Sequence, residues 1–317
     1  MERKTVTRLL SIAAAGMGAA GGLVALENLL YSKCIASAPC VANKTERWPV
    51  QQEGREWARR GEDFRSLTIT AADGLNLWAA LVPASGESHR WVICVHGYRE
   101  SHEAVGVLGK HYAEAGWNVL MPDHRGHGES QGNYVGWGYD ERLDLVAWIN
   151  YIVRRDPEAQ ILLHGVSMGA ASVLMATGGP LLEQVKAAIS DCSYTTLEQS
   201  MNHVMDRRVR EALSIPSGVP FRMLFAILRK VTLRRAGYDL KDVAPVEAVT
   251  HSNTPTLFIH GDHDVTVPVS MMGKLYEAAH CPKRYLVMPE AGHAESVGAN
   301  PELYWKTVDE FLKKYMV

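Results

Sequence analysis

A single serine lies between two glycines in the segment Gly-Val-Ser-Met-Gly at residues 165–169. The apolar run at 161–163 predicts a buried strand before it, and the alanine-rich run at 168–177 predicts a helix after it. In the pattern Gly-x-Ser-x-Gly, a sharp turn between strand and helix lifts the serine hydroxyl above the sheet edge, where it acts as a nucleophile. Glycines are expected there because strand and helix approach too closely for side chains. The pattern also occurs in ordinary turns, so the nucleophile assignment of Ser167 needs partner groups.

Two downstream loops contain such partner groups. A serine is a weak nucleophile until a base takes its proton and a third group orients that base. The loop Gly-Asp-His-Asp-Val-Thr-Val-Pro contains Asp262 and Asp264, and the loop Pro-Glu-Ala-Gly-His-Ala-Glu contains His293. Each loop follows a predicted strand, and ligands in parallel sheets bind beyond the carboxyl ends of the strands. These residues therefore predict a serine, histidine and aspartate site, with either aspartate as the acid.

The elements that position these loops alternate between strand and helix. This order predicts an α/β fold with a mostly parallel sheet covered by helices on both faces. An Asp-Gly turn between two strand-like runs predicts a hairpin at the start of the domain. Strands are predicted at 64–71, 75–82, 91–95, 119–122, 161–163, 187–190, 256–260 and 285–288, and helices at 105–115, 140–154, 168–177, 271–279 and 302–315.

The segment from Tyr194 to Val249 breaks this alternation. It contains no clear strand, and helical stretches are predicted at 197–209 and 221–231. Its place between a core strand and the strand that ends at Gly261 predicts a helical cap over the site. Its many basic residues are typical of a solvated face, with binding of an acidic substrate or of a membrane surface as the alternative.

Four motifs carry a resemblance to the α/β-hydrolase family, in particular to lid-bearing members related to serine aminopeptidases and monoacylglycerol lipases. They are Val-His-Gly-Tyr at 95–98, Asp-His-Arg-Gly-His-Gly-Glu-Ser at 123–130, the segment around Ser167, and residues 261–268 followed by Gly-His at 292–293. The similarity extends from about residue 64 to the C-terminus. It implies an α/β-hydrolase fold, with a catalytic domain over residues 63–317 and a helical cap at about 194–249.

The resemblance implies a role for each candidate residue. Ser167 is the nucleophile and His293 is the base. The family pattern Gly-x-x-Asp-x-x-Val-Pro puts the acid at Asp264, with Asp262 as its rival. The donors of the oxyanion hole are the backbone N–H groups of Tyr98 and Met168.

The reaction that this resemblance implies is hydrolysis of a carboxylic ester through an acyl-enzyme, on a small-molecule ester or a short acyl or peptide substrate. An aminopeptidase or amidase, and a lipase or thioesterase, are the alternatives within the fold. A catalytically silent, membrane-anchored binding protein is the alternative outside enzymes. No cofactor is predicted, and no metal either, because no His-x-x-x-His or carboxylate cluster has metal-ligand spacing.

The charge balance and the cysteines restrict the function further. The 317 residues include 33 Lys and Arg and 35 Asp and Glu, and the resulting net charge of -2 gives no bulk attraction for nucleic acid. The five cysteines have neither paired metal spacing nor the density of a disulfide framework. Cys34 and Cys40 are a candidate disulfide only if their loop lies outside the cell.

The N-terminal residues 1–33 predict a membrane anchor. Basic residues precede an apolar run from Leu9 to Leu26, which is close to the roughly 20 residues that cross a bilayer. The preceding charges favour a cytoplasmic N-terminus and an extracytoplasmic catalytic domain. One alternative is a cleaved signal peptide that ends near Ala-Ser-Ala at 36–38, which would make the protein secreted. The other is a soluble packed helix, which would make it cytoplasmic. Residues 34–62 are predicted to form a linker with one short helix.

Overall fold

The central element of the fold is one eight-stranded sheet. The computed structural model describes residues 19–37, 39–40, 46–62, 64–204 and 219–316. The strands are β1 (Arg65–Thr70), β2 (Asn76–Val82), β3 (Arg90–Val95), β4 (Asn118–Pro122), β5 (Gln160–Val166), β6 (Val185–Asp191), β7 (Thr256–Gly261) and β8 (Lys283–Met288). Their spatial order is β1-β2-β4-β3-β5-β6-β7-β8. Strand β2 is antiparallel to β1 and to β4, and the neighbouring strands from β4 to β8 run parallel. The predicted hairpin and mostly parallel sheet are therefore confirmed.

Helices cover both faces of this sheet. They are α1 (Ala19–Cys34), α2 (Pro49–Arg60), α3 (Gly106–Glu114), α4 (Glu141–Arg155), α5 (Met168–Thr177), α6 (Val219–Ala236), α7 (Pro245–Ala248), α8 (Val269–Ala278), α9 (Ser296–Ala299) and α10 (Pro301–Tyr315). Side chains of β3 alternate between two cores. Val92 and Cys94 pack in the core with α3 and α10, whereas Ile93 and Val95 pack in the core with α4 and α5. A period of two in a strand buried on both faces produces this division.

The described part of the segment between β6 and β7 contains helices and connecting turns, and no strand. Residues 197–204 and α6 are helical, and residues 205–218, which include the end of the predicted helix at 197–209, lie outside the described residues. Phe225, Leu228 and Val231 of α6 are buried in a third hydrophobic cluster. Leu30 and Ile35 from the N-terminal part of the chain are buried in the same cluster. Residues of α6 and of the N-terminal part of the chain therefore share one hydrophobic cluster with α5 and α8, and the helical cap stays a prediction.

Helix α1 packs against α6. The Arg234 guanidinium donates a 2.7 Å hydrogen bond to Glu27, which is buried, and Arg235 donates to the side chain of Asn28. No helix in the described part of the chain has both the length and the apolar character needed to cross a membrane. Residues 1–18, which hold the first half of the predicted anchor, lie outside that part. The anchor therefore stays a prediction.

Helix α2 lies within the predicted linker and packs against α3. Gly54 allows this contact, because a Cβ at that position would lie 2.3 Å from the Cα of Val107. The buried Arg55 guanidinium pairs with Glu46 at 2.6 Å and with Glu100 at 3.0 Å. The predicted short helix is present, and it forms part of the packed body of the protein. The thiols of Cys34 and Cys40, the candidate disulfide, are both free.

Candidate active site

Ser167 occupies the sharp turn between β5 and α5. Its backbone has a φ of 57° and a ψ of -116°, a conformation that residues other than glycine rarely adopt. The Ser167 N–H donates a 2.8 Å hydrogen bond to the carbonyl of Asp191 at the end of β6. Strain of this kind persists only where surrounding contacts hold it. The neighbouring strand therefore fixes the direction of the Ser167 side chain.

The two glycines of the Gly-x-Ser-x-Gly turn allow three backbone segments to touch. A Cβ at Gly165 would lie 2.4 Å from the carbonyl oxygen of Gly169, and a Cβ at Gly169 would lie 2.2 Å from that of Val95. Real Cβ atoms do not approach backbone this closely. The steric requirement that the sequence predicted for both glycines is thus present.

The imidazole of His293 lies beside the Ser167 hydroxyl. His293 Nε2 is 2.8 Å from Ser167 Oγ, and His293 Nδ1 is 2.7 Å from Asp264 Oδ2. An ionised carboxylate accepts hydrogen bonds only, so the proton of a neutral His293 lies on Nδ1. Nε2 then faces the Ser167 hydroxyl as an acceptor. The three side chains predicted from separate loops therefore lie in one hydrogen-bonded chain.

Asp264 is held in its ionised form by several donors. Its Oδ1 accepts backbone hydrogen bonds from Thr266 and Val267, both at 2.8 Å. Burial by itself raises the pKa of this carboxyl, but hydrogen bonds from His260 and His293 hold it well below its usual range. The side chain of the rival, Asp262, is 38% exposed, whereas that of Asp264 is fully buried. Of the two aspartates, the structure brings Asp264 to His293.

His260 is a second histidine on Asp264 that the sequence did not reveal. Its Nε2 lies 2.8 Å from the carbonyl of Val267 and 3.2 Å from Asp264 Oδ2. Both neighbours are acceptors, so Nε2 carries the proton. The residue is completely buried at the end of β7. From the sequence alone, a histidine at the end of a strand is interpreted as a structural residue. No sequence pattern connects it to the aspartate four residues later.

The loop after β3 lies beside Ser167. A Cβ at Gly97 would be 3.3 Å from the Cβ of Ser167. His96 Nε2 accepts from the backbone N–H of His124 at 2.9 Å, so Nδ1 carries the proton and donates to the carbonyl of Gly97 at 2.8 Å. A trans peptide directs its C=O and N–H to opposite sides. His96 thereby turns the N–H of Tyr98 away from itself.

Both predicted N–H donors are available. Within the described residues, neither Tyr98 nor Met168 donates its backbone N–H to a protein acceptor. Met168 is the first residue of α5, where N–H groups have no partner inside the helix. The positive end of the helix dipole adds to its attraction for negative charge.

Three buried histidines lie at this loop. His96 and His127 have partners at both ring nitrogens, whereas His124 Nε2 has none among the described residues. His127 Nε2 accepts from the N–H of Arg99 at 3.1 Å, and its Nδ1 donates to the carbonyl of Arg125. Burial lowers the pKa of His96 to about 4 and also lowers that of His124 and of His127. These imidazoles are therefore neutral.

Asp191 belongs to a buried chain of hydrogen bonds. Its carboxylate accepts from Ser296 at 2.9 Å and from the Tyr304 hydroxyl at 3.2 Å. Tyr304 is in turn 2.9 Å from His164, and His164 is 3.0 Å from the Tyr112 hydroxyl. Burial raises the pKa of Asp191 to about 6. This chain ties the end of β6, which holds Ser167, to the helix that follows the His293 loop.

Residues before and at the start of α2 contact the His293 loop. Gln51 donates a 2.8 Å hydrogen bond to the carbonyl of Ala294, and Trp48 donates to the carboxylate of Glu295. Arg47 also pairs with Glu295 at 3.0 Å. The predicted linker therefore helps to hold the loop that carries the imidazole.

One group of potential metal ligands overlaps the site. Among the described residues, Cys192, Asp264 and His293 place ligand atoms within 4.8 Å of one another. Asp264 and His293 are already bound to each other, and burial raises the pKa of the Cys192 thiol well above its ordinary value. A thiol must lose its proton to bind a metal, so this environment disfavours one. Independence from metals and cofactors stays a prediction.

Trp137 brings a further loop to the site. Its ring stacks on that of Tyr98 with centroids 4.3 Å apart, and its Nε1 donates to the carbonyl of Cys34 at 2.9 Å. Trp137 has a φ of 55°. Glu141 fixes this loop, because its two carboxylate oxygens accept the N–H groups of Gly136 and Gly138, both at 2.8 Å. No local sequence pattern indicates these contacts, because they join distant segments.

Two protein families match separate parts of the chain. Residues 86–214 match the serine aminopeptidase S33 family, and residues 227–317 match the prolyl oligopeptidase family. The uncharacterized protein YqkD of Bacillus subtilis is 31% identical over 204 residues, which are 63% of this chain and 64% of that protein, less than two thirds of its length. The uncharacterized protein YfhR of Salmonella typhimurium is 26% identical over 288 residues, which are 88% of this chain and 91% of that protein.

A solved structure shares the fold. The Pyrococcus furiosus esterase Pf2001 superposes with a TM-score of 0.65 and 22% identity, over 90% of this chain and 99% of that chain. At this identity the likeness establishes the common fold. The predicted fold is therefore confirmed.

Stability is expected to depend on pH through Glu141. Burial raises its pKa to about 7 from the usual 4.5, so unfolding between these pH values releases a proton and stability falls as the pH rises. Glu141→Gln removes this titration and one acceptor. We expect a less stable protein whose free energy of unfolding falls less steeply with pH, by up to about 1.4 kcal/mol per pH unit.

Denaturant titrations from pH 4.5 to 7 measure this slope. Glu310→Gln, at an exposed pair with Arg284, is the matched control and should keep the wild-type slope. Parallel stability curves for wild type and Glu141→Gln would contradict the assignment.

Proposed function

We propose that the chain is a serine hydrolase that cleaves carboxylic esters through an acyl-enzyme, which its α/β-hydrolase fold and its partial matches to two hydrolase families support. The observation that supports this proposal is the chain from Ser167 Oγ to His293 Nε2 at 2.8 Å, and from His293 Nδ1 to Asp264 at 2.7 Å. A hydroxyl, an imidazole and a carboxylate in this order have the geometry of an activated nucleophile.

The proposed reaction has two halves. His293 takes the proton of Ser167 as Oγ attacks the ester carbonyl carbon, and the ionised Asp264 stabilises the imidazolium. The imidazolium then protonates the leaving alkoxide, which departs as the alcohol and leaves an acyl group on Ser167. Water attacks the carbonyl carbon of this acyl group as His293 takes a proton from the water. The acid leaves, and the proton returns to Ser167 Oγ.

Backbone donors stabilise the charge that develops on the carbonyl oxygen in both halves. We assign this role to the N–H groups of Tyr98 and Met168, which flank Ser167 and have no other protein acceptor among the described residues. A preorganised donor of this kind contributes about 3 kcal/mol to the transition state. His96 supports the arrangement because it holds the Gly97 carbonyl on the opposite side of the peptide.

The second candidate is an aminopeptidase, which the match to the serine aminopeptidase S33 family supports. Such an enzyme needs negative charge near the site to hold a free amine. We favour the ester because the solved structure that shares the fold over 90% of this chain is an esterase.

Loss of the nucleophile should abolish turnover. We expect Ser167→Ala to lower kcat on p-nitrophenyl esters by a factor on the order of 10⁶, since removing the nucleophile removes the acyl-enzyme route. A fluorophosphonate probe should label the wild type and leave Ser167→Ala unlabelled.

Aminoacyl p-nitroanilides, assayed beside the esters, separate the two candidate reactions. Ser172→Ala is the control, because Ser172 lies inside α5 with its hydroxyl on a backbone carbonyl. An unlabelled wild type, or faster turnover of the anilides than of the esters, would contradict the ester proposal.

The two aspartates should respond very differently to one substitution. In Asp264→Asn the amide N–H₂ faces His293 Nδ1, so the imidazole proton moves to Nε2, which can then no longer accept the proton of Ser167. We expect kcat to fall roughly 10⁴-fold.

Asp262→Asn is the matched control for this experiment. Asp262 contacts the exposed His263, so we expect a change of less than about threefold. Steady-state kinetics on one ester compare the two chains. Equal losses, or the larger loss in Asp262→Asn, would show that the acid is misassigned.

We also propose that residues 9–26 anchor the chain in a membrane with the catalytic domain outside the cytoplasm, as the preceding Arg3, Lys4 and Arg8 favour. Protease added to intact expressing cells should then digest the chain beyond Tyr31 while a cytoplasmic marker survives. Reversal of the three charges to Glu should reduce this digestion. A chain as resistant as the marker would rule out the extracytoplasmic orientation.

A further inference from the structure

The outward sides of α1 and α6 expose an unusual share of apolar surface. Leu23 and Val24 of α1 are 45% and 53% exposed, and Met223 and Leu233 of α6 are 60% and 53% exposed. These four make up almost half of the nine large hydrophobic side chains exposed in the described part of the chain. We call the outward side of these two packed helices the cap face.

The same face is positively charged. Helix α6 contains Arg222, Arg229, Lys230, Arg234 and Arg235 and no acidic residue. Asp239 pairs with Arg229, and Glu27 pairs with Arg234. Arg222 and Lys230 are exposed and form no ion pair with a described residue. Arg235 bonds to a neutral amide and lies over the Tyr31 ring, so its charge is not neutralised either.

We propose that the cap face docks on an anionic phospholipid bilayer. Helices that bind in the plane of a bilayer combine exposed apolar side chains with Lys and Arg, and do not need to span it. Each basic residue close to an anionic surface adds about 1 kcal/mol of attraction. On α6 the exposed residues are 222–223, 226, 230 and 233–235, and all but Arg235 lie on one side of the helix, where apolar and basic side chains occur together.

The sequence before α1 favours a bilayer as the occupant of this face. Residues 9–18 are apolar or small except for Ser11, and they lead directly into α1. A chain anchored through the apolar run 9–26, which includes Leu23 and Val24, keeps the α6 part of the cap face within reach of the lipid surface.

The cap face also connects to the candidate active site. The last residue of α1, Cys34, accepts the Trp137 Nε1 hydrogen bond at 2.9 Å, and Trp137 stacks on Tyr98. Docking therefore acts on a helix whose C-terminal end contacts the loop beside Ser167. This link, together with the proposed function on which it rests, assigns an amphiphilic ester held in the bilayer as the substrate class.

An environment-sensitive fluorophore at position 223 of the full chain tests the docking. The label is introduced by Met223→Cys, and the unsubstituted chain is labelled in parallel to subtract the signal of Cys34 and Cys40. Reconstitution in phosphatidylcholine vesicles that contain phosphatidylglycerol should shift the emission to the blue, and added salt should weaken the shift. Vesicles of phosphatidylcholine alone should give little shift.

Charge reversal on the cap face should weaken this response. Arg222→Glu with Lys230→Glu should raise the anionic lipid needed for a half-maximal shift by roughly 30-fold or more. Lys306→Glu with Lys313→Glu, on exposed positions of α10, makes the same change in net charge and should leave the response unaltered. Equal effects of the two pairs, or an equal shift in neutral vesicles, overturn the proposal. A shift that grows with protein concentration without lipid identifies a second copy as the occupant and overturns it too.

The consequence for the substrate has a separate measurement. We compare two rates, one on an ester embedded in anionic vesicles and one on a soluble p-nitrophenyl ester. The ratio of the first to the second should fall in the double variant Arg222→Glu with Lys230→Glu and not in the double variant of α10. An unchanged ratio overturns the assignment of the substrate class. The fluorescence experiment needs no catalysis, so Ser167→Ala must show the same lipid dependence even where the proposed hydrolysis fails.

Discussion

The close approach of three backbone segments around Ser167 is the constraint on which the rest of the site depends. Strand β5, the first turn of α5 and the end of β3 touch where Gly165 and Gly169 leave no room for a Cβ. This contact forces the positive φ of Ser167, and the Asp191 carbonyl holds its N–H. The loops that carry Tyr98, Asp264 and His293 then have to reach a hydroxyl whose position is already fixed. Each loop does so directly after a strand of the same sheet, so the strand register sets the distances between the reacting groups.

Local patterns made much of this arrangement predictable. Strand and helix periodicity, an Asp-Gly turn and the two glycines each depend on neighbouring residues. The predicted strands and longer helices occur in the observed order, and the one-turn helices α7 and α9 were not predicted. The choice between Asp262 and Asp264 was different, because both are carboxylates in one loop and the residues alone left them open. Burial separates them. The hydrogen bonds of Thr266 and Val267 close a tight turn around Asp264, whereas Asp262 faces solvent beside His263.

Contacts between distant segments are where sequence patterns failed. Residues 34–62 contain prolines, glycines and charges that are typical of a linker, yet Arg55 is buried between two carboxylates and Gln51 holds the His293 loop. In the same way, the carbonyl at the end of α1 supports Trp137. A charged residue is read as exposed until its partners are known, and Glu100 is 45 positions from Arg55 in the sequence. The N-terminal residues are thus part of the scaffold that positions the site.

The histidines show why three-dimensional partners, and not residue type, decide which side chain has the geometry for proton transfer. His96 and His127 each have one nitrogen donating to a carbonyl and the other accepting a backbone N–H. His164 lies between two tyrosine hydroxyls, and His260 directs its proton to Asp264 and a carbonyl. A proton gained by any of these imidazoles would break a buried hydrogen bond or leave a charge without solvent, and both are costly. His293 differs from them. Its side chain is 22% exposed, its Nδ1 faces an ionised carboxylate, and its Nε2 faces a hydroxyl. A positive charge formed there has both a carboxylate partner and access to solvent, whereas His260, which contacts the same carboxylate, is completely buried.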